Sequence, residues 1–262
     1  MTERDGYEAG TPSWADVMAP DIEKTTAFYG GLFGWEAVAA GDPESTGGYT
    51  IFLKDGKSVA GAMAGSAPGP VPAVWSTYIA TDDADATAEK VKAAGGTVMM
   101  EPMDVMTAGR MGFFVDPTGG AIGVWQAGDH RGAQLVNEPG TMCWNELRTR
   151  DPEAAKSFYA DVFGWGAEAF EGTPGYSIWM VGEAGVGGVM DMAVAEMPAE
   201  VPPHWGVVFA VADVDQSVAT AQELGATVTT PPFDFAVGRL AGLIDPQGAA
   251  FSIITLAEQA EG

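Results

Sequence analysis

One segment of 22 residues occurs twice in the chain. The first copy runs from Trp14 to Trp35 and the second from Trp144 to Trp165, and eight of the 22 aligned positions are identical without a gap. The identical residues include a Phe-Tyr pair and a closing Phe-Gly-Trp. Because such a match at one constant spacing is improbable by chance, the chain is predicted to contain a duplicated domain. A length of 262 residues agrees with two domains.

The composition indicates a folded, acidic protein. Hydrophobic residues make up 47% of the chain, and 36 acids against 12 bases give a net charge of −24. This charge argues against nucleic acid as a partner, since phosphate binding needs clustered Lys and Arg. It permits attraction of cationic small molecules. The alternative is that the charge serves solubility, which the even spread of acids along the chain favours.

Neither a membrane segment nor a disulfide is expected. No apolar run approaches the roughly 20 residues of a membrane helix, and the first residues contain no apolar signal segment. Cys143 is the single cysteine, so an internal disulfide cannot form. It is expected to be a buried, inert thiol. These features favour a cytoplasmic protein.

Each half of the chain is predicted to consist of two similar units. In the first unit a strand at 13–19 precedes a helix at 22–33, with Asp21 as the N-cap and Gly34 as the C-terminal glycine. Two or three short strands follow. The second unit begins after a Pro-rich stretch at 67–72, and both units then recur in the second half.

The pattern therefore predicts an α+β fold of four βαβββ units. Two units side by side would form a curved sheet with helices outside, and its concave face would be a pocket. The predicted domains are 12–127 and 141–257, joined by a linker at 128–140. Residues 1–11 are expected to be a frayed tail.

Two motifs of each half resemble those of the vicinal oxygen chelate superfamily. They are the helix ending in Phe-Tyr-x-x-x-Phe-Gly-Trp and the Asp-Pro-x-Gly turn before the last strand, and the resemblance covers residues 12–126 and 142–255. That superfamily includes glyoxalase I, extradiol dioxygenases, fosfomycin-resistance enzymes and bleomycin-resistance binding proteins. The resemblance implies two tandem cup-shaped glyoxalase-like domains. It leaves the chemistry open, because one fold supports several functions.

The metal ligands of the superfamily are missing from the matching positions. The resemblance implies His, His and Glu at positions that are occupied here by Trp14, Ser76 and Gly123 in the first half and by Trp144, Gly206 and Ser252 in the second. None of these is an ordinary metal ligand. No metal and no cofactor are therefore expected. Of the two histidines, His130 falls in the linker, and His204 is expected to be a strand-edge residue, with a ligand role as the alternative.

Large aromatic and soft side chains take the place of the ligands. Trp offers a flat surface for stacking and Met adapts to irregular partners. Strand alternation and the resemblance predict that Trp14, Met18, Trp125 and Trp144 face inward. Tyr49 and Tyr176 are added because they match between the halves, and Met63 because it lies in or beside a strand. The predicted ligand-binding residues are therefore Trp14, Met18, Tyr49, Met63, Trp125, Trp144 and Tyr176. The alternative is that these side chains fill the core. Trp75 and Trp205 should point toward the helices.

Two acids are also expected to point into the cups. Asp16 and Glu146 each follow the duplicated Trp by two residues, and partial desolvation would suit either carboxyl to general acid or base catalysis. The alternatives are contact with a ligand amine, or a salt bridge with Arg148 or with Arg110 and Arg239. Because Arg110 and Arg239 occupy matching positions of the two halves, both are expected to have a structural role.

The sequence thus favours metal-independent binding, for sequestration or carrying, of a hydrophobic or planar aromatic small molecule such as an antibiotic or a biosynthetic intermediate. The alternative is a metal-independent tailoring enzyme, lyase-, isomerase- or hydroxylase-like, that uses Asp16 or Glu146 as its acid or base. A protein–protein module has no positive support. Since the fused halves supply their own pairing, a monomer or weak dimer is expected.

Overall fold

The computed structural model describes residues 2–65 and 72–257. The elements in chain order are β1 (Thr2–Glu3), β2 (Pro12–Ala19), α1 (Ile22–Phe33), β3 (Glu36–Ala39), α2 (Pro43–Thr46), β4 (Thr50–Lys54), β5 (Lys57–Ala64), β6 (Val74–Ala80), α3 (Ala84–Ala93), β7 (Thr97–Val105), β8 (Gly109–Val115), β9 (Ala121–Ala127), β10 (Leu135–Val136), β11 (Thr141–Thr149), α4 (Pro152–Phe163), β12 (Gly166–Ala169), β13 (Tyr176–Val181), β14 (Ala184–Asp191), β15 (His204–Ala210), α5 (Val214–Glu223), β16 (Thr227–Phe235), β17 (Gly238–Ile244) and β18 (Ala250–Leu256).

Each half of the chain forms one eight-stranded mixed sheet. The strand order is β3-β4-β5-β2-β6-β9-β8-β7 in the first half and β12-β13-β14-β11-β15-β18-β17-β16 in the second. In the first sheet the central strands β2 and β6 are antiparallel, and each is parallel to its other neighbour, β5 or β9. The second sheet repeats this pattern. The prediction of an α+β fold with four βαβββ units is confirmed.

The two matching helices begin and end where the sequence predicts. The side chains of Asp21 and Asp151 accept a backbone hydrogen bond in the first turn of α1 and α4. Gly34 and Gly164 end these helices with φ of 72° and 73°, a left-handed conformation that favours glycine. Of the predicted Pro-rich stretch at 67–72, all but Pro72 lies outside the described residues.

The cores of the two halves are shared. One buried cluster joins α1 and strands of the first sheet to α5, β15, β17 and β18, and a second joins α3, β8 and β9 to α4 and strands of the second sheet. The helices α1, α3, α4 and α5 therefore each cover apolar surface of both halves. The indoles of Trp75 and Trp205 lie in these clusters and donate to Tyr29 and Tyr159 of α1 and α4, as the predicted orientation toward the helices requires.

The prediction of a frayed tail at 1–11 is wrong for the residues described. β1 pairs with β10, which lies within the predicted linker, and the Tyr7 hydroxyl donates to the backbone oxygen of Ala133. Leu135 and Val136 of β10 are buried. The tail is ordered because its backbone groups and the ring of Tyr7 find partners about 130 residues away, which no local pattern could show.

Candidate functional site

The face of each sheet opposite its helices carries a chain of hydrogen-bonded side chains. In the first half the Trp14 indole donates to the Tyr49 hydroxyl at 2.8 Å, and that hydroxyl donates to Oδ2 of Asp16 at 3.0 Å. Tyr78, on the neighbouring strand, donates to the same oxygen at 3.1 Å. We call this face, with these residues, the N-cup. Three of the residues singled out in the sequence are thus brought together here.

The second half repeats the arrangement. The Trp144 indole donates to the Tyr176 hydroxyl at 2.8 Å, which donates to Oε2 of Glu146 at 3.3 Å. We call this face the C-cup. The two tyrosines were singled out by local similarity alone, and the structure gives them one role, that of joining an indole to a carboxylate.

Two glycines make room for these tyrosines. A β-carbon at Gly61 would overlap the Tyr49 hydroxyl, and one at Gly188 would overlap that of Tyr176. Each glycine pairs directly with the acid of its own cup, Gly61 with Asp16 and Gly188 with Glu146. The glycine thus lets the tyrosine ring lie across the strand next to the carboxylate.

The carboxyl of Asp16 is buried in an apolar setting. Only 4% of its surface is exposed, and burial raises its pKa to about 6, although the hydrogen bonds from Tyr49 and Tyr78 oppose the rise. Asp16 can therefore change its protonation state near neutral pH, as an acid or base catalyst must.

The N-cup is covered by the segment that follows β9. His130 packs edge-on against Trp14, with ring centroids 4.4 Å apart, and its backbone oxygen accepts from the Trp125 indole at 2.8 Å. Trp14 is consequently only 3% exposed and Trp125 only 8%. Burial lowers the pKa of His130 to about 4, so its ring is neutral at pH 7.

The C-cup is lined by smaller side chains. Strand register places Tyr78 beside Trp14 and Gly123, whereas Val208 holds the matching place beside Trp144 and Ser252. Phe113 likewise pairs with Gly123, and its counterpart opposite Ser252 is Gly242. Tyr78 and Phe113 contact each other edge-on in the N-cup. The C-cup therefore lacks both rings, and Trp144 is partly exposed.

A charged pair lies at the centre of the C-cup. Nε and Nη2 of Arg148 donate to Oε1 of Glu146 at 2.8 and 2.5 Å, and Nη2 also lies 3.4 Å from the Ser252 hydroxyl. The salt bridge considered for Glu146 is therefore formed with Arg148. His204 pairs with Arg148 across the strands, and burial lowers the pKa of its ring.

The other residues considered in the sequence lie as follows. Met18 and Met63 are register partners, both partly exposed, on β2 and β5. Arg110 pairs with Asp85 and Asp104, and Arg239 with Asp215 and Asp234, which confirms their matching structural role and separates them from the cup acids. Burial raises the pKa of Cys143 to about 12, as an inert thiol requires.

The side chains present do not fit a catalytic metal ion. Trp14, Ser76 and Gly123 in one cup and Trp144, Gly206 and Ser252 in the other supply no imidazole, carboxylate or thiolate. Within residues 2–65 and 72–257, no three His, Cys, Asp or Glu side chains converge in a way that could hold a metal.

The sequence matches the Glyoxalase/Bleomycin resistance protein/Dioxygenase superfamily over residues 11–124 and 144–253. The chain belongs to this superfamily. Two curated relatives align along almost its full length. CFP32 of Mycobacterium tuberculosis is 44% identical over 99% of this chain and 100% of its own. The anthracycline biosynthesis protein DnrV of Streptomyces peucetius is 42% identical over 96% of this chain and 95% of its own.

Solved structures of the superfamily share the fold. The Mn(II)-bound glyoxalase of Novosphingobium aromaticivorans superposes with a TM-score of 0.65 at 18% identity, covering 94% of this chain and 82% of its own. The 2,3-dioxygenase LapB of Pseudomonas sp. KL28 superposes with a TM-score of 0.65 at 14% identity, covering 97% of this chain and 96% of its own.

Among the helices of the described residues, none is long and apolar enough to cross a membrane.

Sequence reasoning missed two residues that decide how the cups differ. Tyr78 lies two positions after Ser76 on the inner side of β6, so strand alternation from that position could have found it. His130 had no such signal, because it reaches the N-cup from an irregular segment. Backbone bonds from Asp129 and His130 to Thr107 and Ala108 hold that segment against the first sheet.

Proposed function

We propose that this protein binds a planar aromatic small molecule in the C-cup without a metal, and that it holds the molecule rather than converts it. The observation that carries the proposal is the partly exposed Trp144 indole beside small residues, since an indole face stacks well on a flat ring system. Its counterpart Trp14 is covered by His130. The C-cup is therefore the proposed site, and the N-cup its closed counterpart.

The polar groups of the C-cup define which oxygens the ligand would carry. Arg148 and the hydroxyl of Ser252 offer donors, and Glu146 offers an acceptor, on the face that carries Trp144. Keto and phenolic oxygens on a fused ring system would match this set. The relationship to DnrV, whose name places it in anthracycline biosynthesis, supports a ligand of this kind.

Calorimetric titration with 1,4-dihydroxyanthraquinone and with the anthracycline daunorubicin tests the proposal. Saturable binding with one ligand per chain is expected, and chromatography with mass spectrometry should recover the ligand unchanged. Gly206→Leu should weaken binding at least tenfold, because a β-carbon there meets no atom nearer than 3.8 Å and a longer side chain would extend into the cup.

Ser76→Leu, at the matching position of the N-cup, is the control and should leave the affinity unchanged. Absence of binding, or equal loss in both variants, would contradict the proposal.

A cytoplasmic location and a monomeric or weakly dimeric state form part of the proposal. The single cysteine supports the first, and the pairing of two fused halves supports the second.

A second function rests on the buried Asp16, whose pKa of about 6 suits acid or base catalysis in the N-cup. In that case the protein is a metal-independent tailoring enzyme, and Glu146 is the matching candidate in the C-cup. If the wild-type protein converts either ligand and Asp16→Asn or Glu146→Gln abolishes this conversion, the enzyme function is established. Recovery of unchanged ligand from the wild type argues against the enzyme function.

A further inference from the structure

A cavity of about 620 Å³ lies on the same face of the first sheet as the N-cup but beyond its hydrogen-bonded side chains, between the outer strands and the segment that follows β9. This volume falls in the range of small-molecule sites. Val38, Ile51 and Leu53 give the cavity an apolar wall, and Arg4, His130 and Arg131 lie on the side formed by the tail and the linker. Asp5 and Asp129 lie on the same side and His130 is neutral at pH 7, so the positive charge of that side comes from Arg4 and Arg131.

The two arginines of this cavity are free of carboxylate partners. Within the described residues, Arg110, Arg148 and Arg239 form salt bridges, and Arg150 donates to two backbone oxygens. Arg4 and Arg131 form no salt bridge with any described residue, although Asp5 and Asp129 also line the cavity. In a chain with 36 acids and 12 bases, two guanidinium groups without a carboxylate partner beside one apolar wall indicate a site for an anion.

Backbone pairing holds these arginines in place. The backbone nitrogen of Arg4 donates to the oxygen of Gln134 at 3.0 Å, next to the pairing of β1 with β10. Nη1 of Arg131 lies 3.4 Å from the backbone oxygen of Asp5. The tail and linker therefore bring both charges to one cavity wall, and ordering of the tail completes the site.

We propose that this cavity is a second binding site, for a small organic anion with an apolar body, such as an aryl sulfonate or an aromatic or aliphatic carboxylate. The anionic group pairs with Arg4 and Arg131, and the apolar body packs against Val38, Ile51 and Leu53. The site is separate from the C-cup, so it goes beyond the proposed function and does not depend on it.

A pair of fluorescent probes with the same aromatic body tests the site. 8-Anilinonaphthalene-1-sulfonate carries the anion, and N-phenyl-1-naphthylamine lacks it. The sulfonate is expected to bind at least tenfold more tightly than the neutral probe, and its affinity should fall as salt is added. In the double variant Arg4→Gln/Arg131→Gln the preference should disappear, while binding of the neutral probe stays the same.

Arg150→Gln, which removes an arginine elsewhere on the surface, should leave the preference intact. Gly206→Leu should also leave it intact, because it fills the C-cup. Loss of sulfonate binding in Gly206→Leu, or retention of the preference in the double arginine variant, would overturn the proposal. Competition by naphthalene-2-carboxylate should displace the sulfonate, and failure to do so would exclude carboxylates as the ligand class.

Discussion

The Tyr29 hydroxyl donates a hydrogen bond of 3.0 Å to Oδ2 of Asp245, across 216 residues of sequence and from one half of the molecule to the other. The equivalent bond, from the second half to the first, joins the Tyr159 hydroxyl to Oδ2 of Asp116 at 2.8 Å. Each tyrosine comes from the Phe-Tyr pair of a duplicated helix, and each aspartate begins an Asp-Pro-x-Gly turn. The motifs that carry the family resemblance are thus the ones that join the two halves.

Removing one of these hydroxyls should destabilise the whole protein. Tyr159→Phe and Tyr29→Phe each leave a buried aspartate oxygen and an indole N–H without that partner, and a cost of about 1–3 kcal/mol in the free energy of unfolding is expected. Urea denaturation followed by circular dichroism should show one cooperative transition, because the cores are shared.

Ala27→Gln, on the exposed side of the first duplicated helix, is the matched control and should change the unfolding free energy little. Two separate transitions, one for each half, would contradict the shared core. So would a tyrosine variant as stable as the control.

Asp16 should make stability depend on pH in an unusual direction. Burial raises its pKa from 3.8 to about 6, so between these values the folded protein binds more protons than the unfolded chain. The contribution of Asp16 to stability is therefore full below pH 3.8 and falls as the pH rises through 6. The difference in unfolding free energy between Asp16→Asn and the wild type should shift in favour of the variant by about 3 kcal/mol from pH 3.5 to pH 7. A difference that is flat with pH would show that the carboxyl is not desolvated.

His130 should act with the opposite sign. Burial lowers its pKa from 6.5 to about 4, so the unfolded chain binds more protons in this window, and the contribution of His130 to stability rises with pH. In His130→Phe this rise should be missing, so that the advantage of the wild type grows between pH 4 and 6.5. A denaturation series at each pH measures it, and an unchanged difference would contradict a buried neutral ring.

The two cup glycines offer a matched test of which cup binds ligand. Gly188→Ala should displace Tyr176 from Trp144 and Glu146, and we expect a loss of at least tenfold in affinity for 1,4-dihydroxyanthraquinone. Gly61→Ala should displace Tyr49 in the same way and leave the affinity unchanged. Calorimetry on both folded variants decides the matter. Equal effects would mean that both cups bind.

The duplicated motif, the helix caps and the alternation of strands were sufficient to predict the α+β fold with its four units, because these signals are local. They also place Trp14 and Asp16 on one side of a sheet. The bonds from Tyr29 to Asp245 and from Tyr159 to Asp116 were beyond prediction, since they join distant segments of different halves.

The same limit applies to the cups. In the sequence analysis Trp14 and Trp144 are treated as equivalent, whereas the packing of the linker over the first sheet and the rings of Tyr78 and Phe113 distinguish their surroundings. The contact of His130 with Trp14 comes from that packing, and the pairing of β1 with β10 brings Arg4 of the tail to the linker that carries Arg131. Two-residue strands of this kind carry too little periodicity to be recognised in advance.

A crystal structure of the protein with 1,4-dihydroxyanthraquinone would show where the ligand binds. We expect electron density for the ring system in the C-cup, stacked on the Trp144 indole, with an oxygen within hydrogen-bonding distance of Arg148. Density in the N-cup after displacement of His130, or a bound metal ion coordinating the ligand, would contradict the proposal.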